Sequence, residues 1–216
     1  MIKKLFICLV VICLSVLMLS CIEDNRVAGP EADNSLDWPD RSLKEDCVDI
    51  MVLSLVRGSS VKYRELLLKP DTTGVFPEGF IWYSNQNNGE ENLPPLLDYN
   101  QDVEAVDLLL SHAIDFRFKI DPGNWYPRDF FRGSECADCW ESTRGYILLA
   151  TLDNGEAYSG MFRLNLVIGP DPENSEKLVI YEAADLPRAQ LAAAKRPADV
   201  EGVSLSRLKN IVKEKY

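Results

Sequence analysis

Two long apolar-rich runs, Gly145 to Leu152 and Glu156 to Ile168, flank the tripeptide Asp153-Asn154-Gly155, and this pairing restricts the possible folds more than any other feature. Asn and Gly tolerate the positive φ that a tight antiparallel turn demands, so the two runs are expected to be a hairpin. Ahead of them Ile114, Phe116, Phe118 and Ile120 alternate with Asp115, Arg117 and Lys119, the period of a strand with one buried face. Lys177 to Ala183 supplies a further strand after a Pro/Asn turn. An antiparallel sheet of this kind needs cover on its apolar face, and the cover has to come from helices.

The segments before the sheet supply them. Ser42 with Glu45 three residues later reads as a capping box, and Leu43, Cys47, Ile50, Met51 and Leu53 to Val56 form an apolar stripe that Gly58 closes. A second helix is expected from Ser60 to Leu68, stopped by Pro70 and the turn Asp71-Thr72-Thr73-Gly74. Phe80 to Tyr83 is a short aromatic strand. The polar loop Ser84 to Asn92 and Pro94-Pro95 separate it from a helix near Asn100 to Ser111, with Val103, Val106, Leu109 and Leu110 on one side. Asp121 to Trp140 is an irregular, aromatic-rich insert. Past Pro187 a short helix to Lys195 meets Pro197, and Ser204 opens a last amphipathic helix carrying Leu205, Leu208, Ile211 and Val212. The expected class is α+β, with helices packed on one face of a curved, mainly antiparallel sheet.

The first twenty residues fix the address. Lys3 and Lys4 precede an apolar run from Leu5 to Leu19 broken only by Ser15, too short to span a bilayer comfortably, and this is the pattern of a signal peptide. Leu17-Met18-Leu19-Ser20-Cys21 resembles a bacterial lipobox, although Met18 and Leu19 depart from its usual residues. The resemblance implies a lipid on Cys21 and cleavage on its N-terminal side. Ile22, where an Asp would resemble an inner-membrane retention signal, leans toward an outer-membrane destination facing the periplasm or the surface. The expected layout is a leader over 1–20, an acidic flexible tether over 21–41, one domain over 42–186 and a helical tail over 187–216.

Acidic side chains outnumber basic ones by 34 to 23, and the net charge of −11 becomes more negative once Lys3 and Lys4 leave with the leader. Such a surface disfavours nucleic acid as a partner. The order of helices and strands over Ser42 to Leu186, the Phe80 to Tyr83 strand between helices and the closing Ile180-Tyr181-Glu182-Ala183-Ala184-Asp185 resemble the nuclear-transport-factor-two-like superfamily. That resemblance implies a cone-shaped domain of the kind shared by ketosteroid isomerase and scytalone dehydratase. It carries no catalytic residue across, because no Asp or Tyr here aligns with the isomerase motif.

Few residues invite chemistry. Cys136-Ala137-Asp138-Cys139 is expected to close a disulfide, or one of the pair to bond Cys47; a thioredoxin-like role would want a helix start after a buried strand, and Glu135 and Asp138 oppose a thiolate. Zinc would require Cys47, Cys136, Cys139 and His112 to converge, so no metal and no cofactor is expected. His112 with Asp115 admits an acid/base reading, against which stands a histidine placed favourably on a helix dipole. Tyr83, Tyr99, Asp115, Arg117 and Tyr158 are candidate pocket lining. The aromatics Trp125-Tyr126, Phe130-Phe131 and Trp140 are expected to pack the insert, or, if exposed, to mark a binding surface.

The leading expectation is a non-enzymatic, membrane-anchored envelope lipoprotein that binds a small apolar ligand or a protein partner, or serves structurally. Two alternatives stand beside it: an isomerase or dehydratase using a carboxylate in a cone pocket, and a thiol redox protein using Cys136 and Cys139.

Overall fold

The computed structural model describes residues 37–71, 76–84, 95–186 and 202–216. The leader, Cys21, most of the tether, the loop before Pro95 and the stretch around Lys195 lie outside the described residues.

Six strands make one curved sheet in the order β2 (Leu96–Asp98), β1 (Ile81–Tyr83), β9 (Asn174–Leu186), β8 (Ala157–Asp171), β7 (Trp140–Leu152) and β3 (Ala113–Ile120), with β4 (Tyr126–Pro127) added on β7. Every pairing is antiparallel except β1 with β9, which is parallel. The Asp153-Asn154-Gly155 turn joins β7 to β8 with Gly155 at φ 84°. A two-stranded ribbon, β5 (Phe130–Phe131) and β6 (Ser134–Glu135), turns at Arg132 and Gly133, both at positive φ.

Two irregularities bend the sheet and redirect side chains. The register slips between Ala113 and Asp115, so Ile114, expected on the buried face, is 61% exposed while Phe116 and Phe118 stay inside. A second slip opposite Val167 and Ile168 leaves Tyr181 as the extra residue of β9, and Ile180 and Tyr181 are consequently both buried. The strands also run past their expected ends: β7 begins at Trp140, inside the segment read as the insert.

Helices α1 (Lys44–Val56), α2 (Ser60–Leu66) and α3 (Tyr99–His112) cover the concave face. The cap of α1 sits one residue later than Ser42 and Glu45 suggested. Leu43 occupies the N-cap and its N–H donates to the Asp46 carboxylate at 2.9 Å. Glu45 is drawn away instead to Arg144 of β7, which grips it at 2.7 and 2.8 Å while Trp125 Nε1 donates to it at 2.8 Å. The last helix, α4 (Leu205–Lys215), is capped by the Ser204 hydroxyl accepting from the Arg207 N–H at 3.1 Å.

Helix α4 is too short to persist alone in water. Its stability comes from where it lies. Leu205, Leu208 and Val212 are completely buried, each contributing roughly 1.5–3 kcal/mol. The chain reaches this seat along β8, where Val203 N–H donates to Ser159 O at 2.9 Å. Gly160 is required there, since a β-carbon would meet Val203 O at 2.2 Å.

Candidate functional site

The residues expected to line a pocket do not converge. Asp115 and Arg117 share the solvent face of β3, two residues apart, and pair at 3.4 Å with both side chains largely exposed. Tyr158 donates to Glu156 and receives Lys215 Nζ at 3.0 Å near the outer end of α4. Tyr83 on β1 and Tyr99 at the start of α3 are half-buried, and burial raises both phenols above their ordinary value. His112 does not meet Asp115. Its Nδ1 lies 2.8 Å from Asp153 of the β7–β8 turn, and its ring stacks on Tyr216 at 3.5 Å, tying the end of α3 to the end of α4.

What the fold does bring together is a buried polar cluster on the concave side of the sheet, built from α2, α3, α4, β1, β7 and β9. Lys209 and Asp102 are both completely buried, with Nζ 2.6 Å from Oδ1. Tyr63 donates to the other oxygen of Asp102 at 2.8 Å and receives Lys209 Nζ at 3.4 Å. Trp82 lays its ring beneath Lys209, 3.4 Å from Nζ to the centroid. Removing an ammonium and a carboxylate from water costs several kcal/mol each, so such a pair persists only with close partners on both ions. Burial accordingly pulls the Lys209 amine below its ordinary value, and pushes the Tyr63 phenol well above its own.

One turn earlier on α4, Ser206 joins this cluster to Asp185. Its N–H donates to Asp185 Oδ2 at 2.8 Å and its hydroxyl donates to the same oxygen, while Trp82 Nε1 donates to that hydroxyl at 2.7 Å. Tyr146 donates to Asp185 Oδ1 at 2.6 Å and accepts the Leu205 N–H at 2.9 Å. Burial raises the Asp185 carboxyl above the usual carboxylate range, against the hydrogen bonds from Ser206 and Tyr146. The space between the sheet and its helices is thus filled by α4, and both carboxylates of the cluster are held by the chain's own donors.

The sequence did carry a trace of this. Leu205, Leu208, Lys209 and Val212 stand at i, i+3, i+4 and i+7, so a lysine occupies a core position of the helical stripe. Arg144 likewise falls on the inward phase of β7 with Ser142 and Tyr146, and is buried against Glu45.

The cysteines separate. Cys136 and Cys139 are bonded to each other, with Cα atoms 5.5 Å apart, and Cys47 is free on the buried side of α1, where burial raises its thiol to about 12. The alternative pairing through Cys47 is therefore replaced by the local one. Asp138 takes φ 63° between the two cysteines, and the motif opens strand β7 where a redox motif would open a helix. Cys136 N–H donates to Asp129 O at 2.9 Å and Arg128 N–H to Cys139 O at 2.8 Å, which sews the insert shut. Its aromatics divide: Phe131 is buried against Phe76 and Tyr181, while Tyr126 and Phe130 stand exposed. A concavity of about 580 Å³ runs along this insert from Pro127 to Trp140. Another of about 380 Å³ lies between Arg41, Leu68 and Glu173 on the opposite flank of α2. Among the described residues, no group of three or more His, Cys, Asp or Glu side chains could hold a metal, and no helix is long and apolar enough to cross a membrane.

No protein-family model matches the chain, and no curated protein matches it. Solved structures do. A nuclear transport factor 2 (NTF2-like) superfamily protein from Salmonella enterica serovar Typhimurium is 12% identical, aligned over 70% of this chain and 92% of its own, with a TM-score of 0.49. A ketosteroid isomerase-like protein from Erwinia carotovora atroseptica is 7% identical over 69% of this chain and 96% of its own, at 0.46. A hexachlorocyclohexane dehydrochlorinase of type 2 is 7% identical over 73% and 94%, at 0.47. None of these scores reaches 0.5, and what those proteins act on says nothing of this chain.

Proposed function

We propose that the chain is an envelope lipoprotein, held on a bacterial membrane through a lipid on Cys21, whose α+β domain is a non-enzymatic module that works from its outer surface. One observation carries this reading: α4 occupies the interior of the cone, with Leu205, Leu208, Lys209 and Val212 all completely buried. An isomerase or dehydratase needs a carboxylate facing a space that substrate can enter. Here Asp102 faces Lys209, and Asp185 faces Ser206 and Tyr146.

The outer surface favours a protein partner over a small apolar ligand. Tyr126 and Phe130 present exposed rings from an insert stiffened by the Cys136–Cys139 bond, and rigid exposed aromatics are the usual anchors of protein contacts. The enzyme reading keeps one supporting observation, the buried Asp185 carboxyl with its raised pKa beside Tyr146, and it requires α4 to withdraw.

Titrating the native mature chain with anilinonaphthalene sulfonate separates the two. A filled cone is expected to give no saturable binding; one-to-one uptake would mean an open apolar cavity and remove the argument against the enzyme reading. For the anchor, Cys21→Ser is expected to abolish labelling by a fatty-acid probe and to move the protein from the membrane fraction to the soluble one. Membrane recovery unchanged by this substitution would refute the lipid.

A further inference from the structure

The Lys209–Asp102 contact sets an amine against a carboxyl in a site closed to water. Both side chains are at 0% exposure, each comes from a different helix, and the two residues are 107 apart in sequence. Lys209 Nζ is held 2.6 Å from Asp102 Oδ1, an oxygen borne by the carbon that an amide would join. Fixing two reactants so closely replaces an encounter in solution by a unimolecular step. In a water-excluded site an ion pair carries a desolvation cost of several kcal/mol per ion, a cost that a neutral linkage would not carry. Burial acts on the Lys209 amine in the same sense, pulling it below its ordinary value against the opposing pull of Asp102.

We propose that Lys209 and Asp102 become joined by an amide bond between Nζ and Cγ, formed by the folded chain itself, so that α4 is stapled covalently onto α3. Nζ of the neutral amine forms a bond to Cγ of the protonated carboxyl. The Cγ–OH bond breaks, the leaving hydroxyl takes a proton from the attacking nitrogen, and water is released. No oxidant, reductant or further reactant enters. Tyr63 is the relay for that proton, because its hydroxyl touches both partners: 2.8 Å to Asp102 Oδ2 and 3.4 Å to Lys209 Nζ. The Trp82 ring steadies the nitrogen in either protonation state, as an N–H lying over a π face is favourable with or without the charge. The buried Asp185 carboxyl faces the same space from β9 but is held by Ser206 and Tyr146, which leaves Asp102 as the acceptor.

The test is proteolytic mapping of the full chain, purified, reduced and fully denatured. The expected result is a branched fragment joining the peptides that contain Asp102 and Lys209, lighter by one water than their sum, with Lys209 refractory to an amine-reactive label. Two separate linear peptides with a labelled Lys209 would overturn the proposal, as would a branched fragment persisting in Lys209→Arg. In freshly translated chain, Tyr63→Phe is expected to form the branched fragment roughly a hundredfold more slowly; an unchanged rate would overturn the relay. This inference is independent of the membrane anchor, since the linkage is read from the same fragment whether or not Cys21 carries lipid.

Discussion

Asp185 shows how much a single buried side chain can organise. It accepts from Tyr146, from the Ser206 amide and from the Ser206 hydroxyl, and through them it fixes the first turn of α4 against β7 and β9. Asp185→Ala removes the acceptor of the Ser206 amide and hydroxyl in a dry interior, where each unsatisfied group costs about 1–3 kcal/mol. For these two groups the loss is expected near the middle of the summed range of about 2–6 kcal/mol, about 3–5 kcal/mol, read from denaturant unfolding. A change within about 0.5 kcal/mol would show that the cluster is not coupled to folding. Little of this cluster was legible beforehand. Asp102 and Asp185 look like ordinary polar punctuation beside Val103 and Ala184, and only tertiary packing turns them inward. Asp115, Arg117 and Tyr158 suggest themselves as pocket lining by chemical type alone, and type does not report which face of a strand is outward; the fold leaves Tyr158 apart from the other two.

Among the elements, those marked by strong periodicity or by turn chemistry were readable, and those shaped by register slips were not. The β7–β8 hairpin follows from Asp153-Asn154-Gly155, and α4 from its apolar stripe. Ile114 was assigned to the wrong face because one extra residue at the start of β3 reverses the alternation there. The capping box of α1 was misplaced because Glu45 has a better partner in Arg144 than in its own helix. That partnership has a pH signature. The Arg144 hydrogen bonds hold the Glu45 carboxyl below its ordinary value, so their contribution is complete above the ordinary glutamate range and is lost as pH falls through the depressed value. Glu45 is more than half exposed, and solvent screening keeps the effect within about 1 kcal/mol. Glu45→Gln is expected to lower stability at neutral pH and to flatten the acid flank of the melting-temperature profile; a flank as steep as in the parent chain would assign it to other carboxyls.

Over the whole molecule, the core is completed by residues far apart in sequence. The parallel β1–β9 pairing joins Ile81–Tyr83 to Glu182–Ala184, and α4 fills the space between that pairing and the helices. Deleting residues 202–216 uncovers Trp82 and Tyr146 and leaves Asp102 without Lys209. Three fully buried apolar side chains at roughly 1.5–3 kcal/mol each amount to as much as a domain's entire net stability. The truncated chain is therefore expected to keep its far-ultraviolet dichroism, lose its near-ultraviolet bands and unfold without a cooperative step. A sharp transition in calorimetry would mean that the sheet and first three helices stand alone.

Because Leu205, Ser206 and Lys209 of α4 each bond a partner on a different element, on β7, β9 and α3, the helix cannot detach one contact at a time. Its amide protons are therefore tied to the opening of the core, and they exchange with solvent on the timescale of the central strands and not on that of a frayed surface segment.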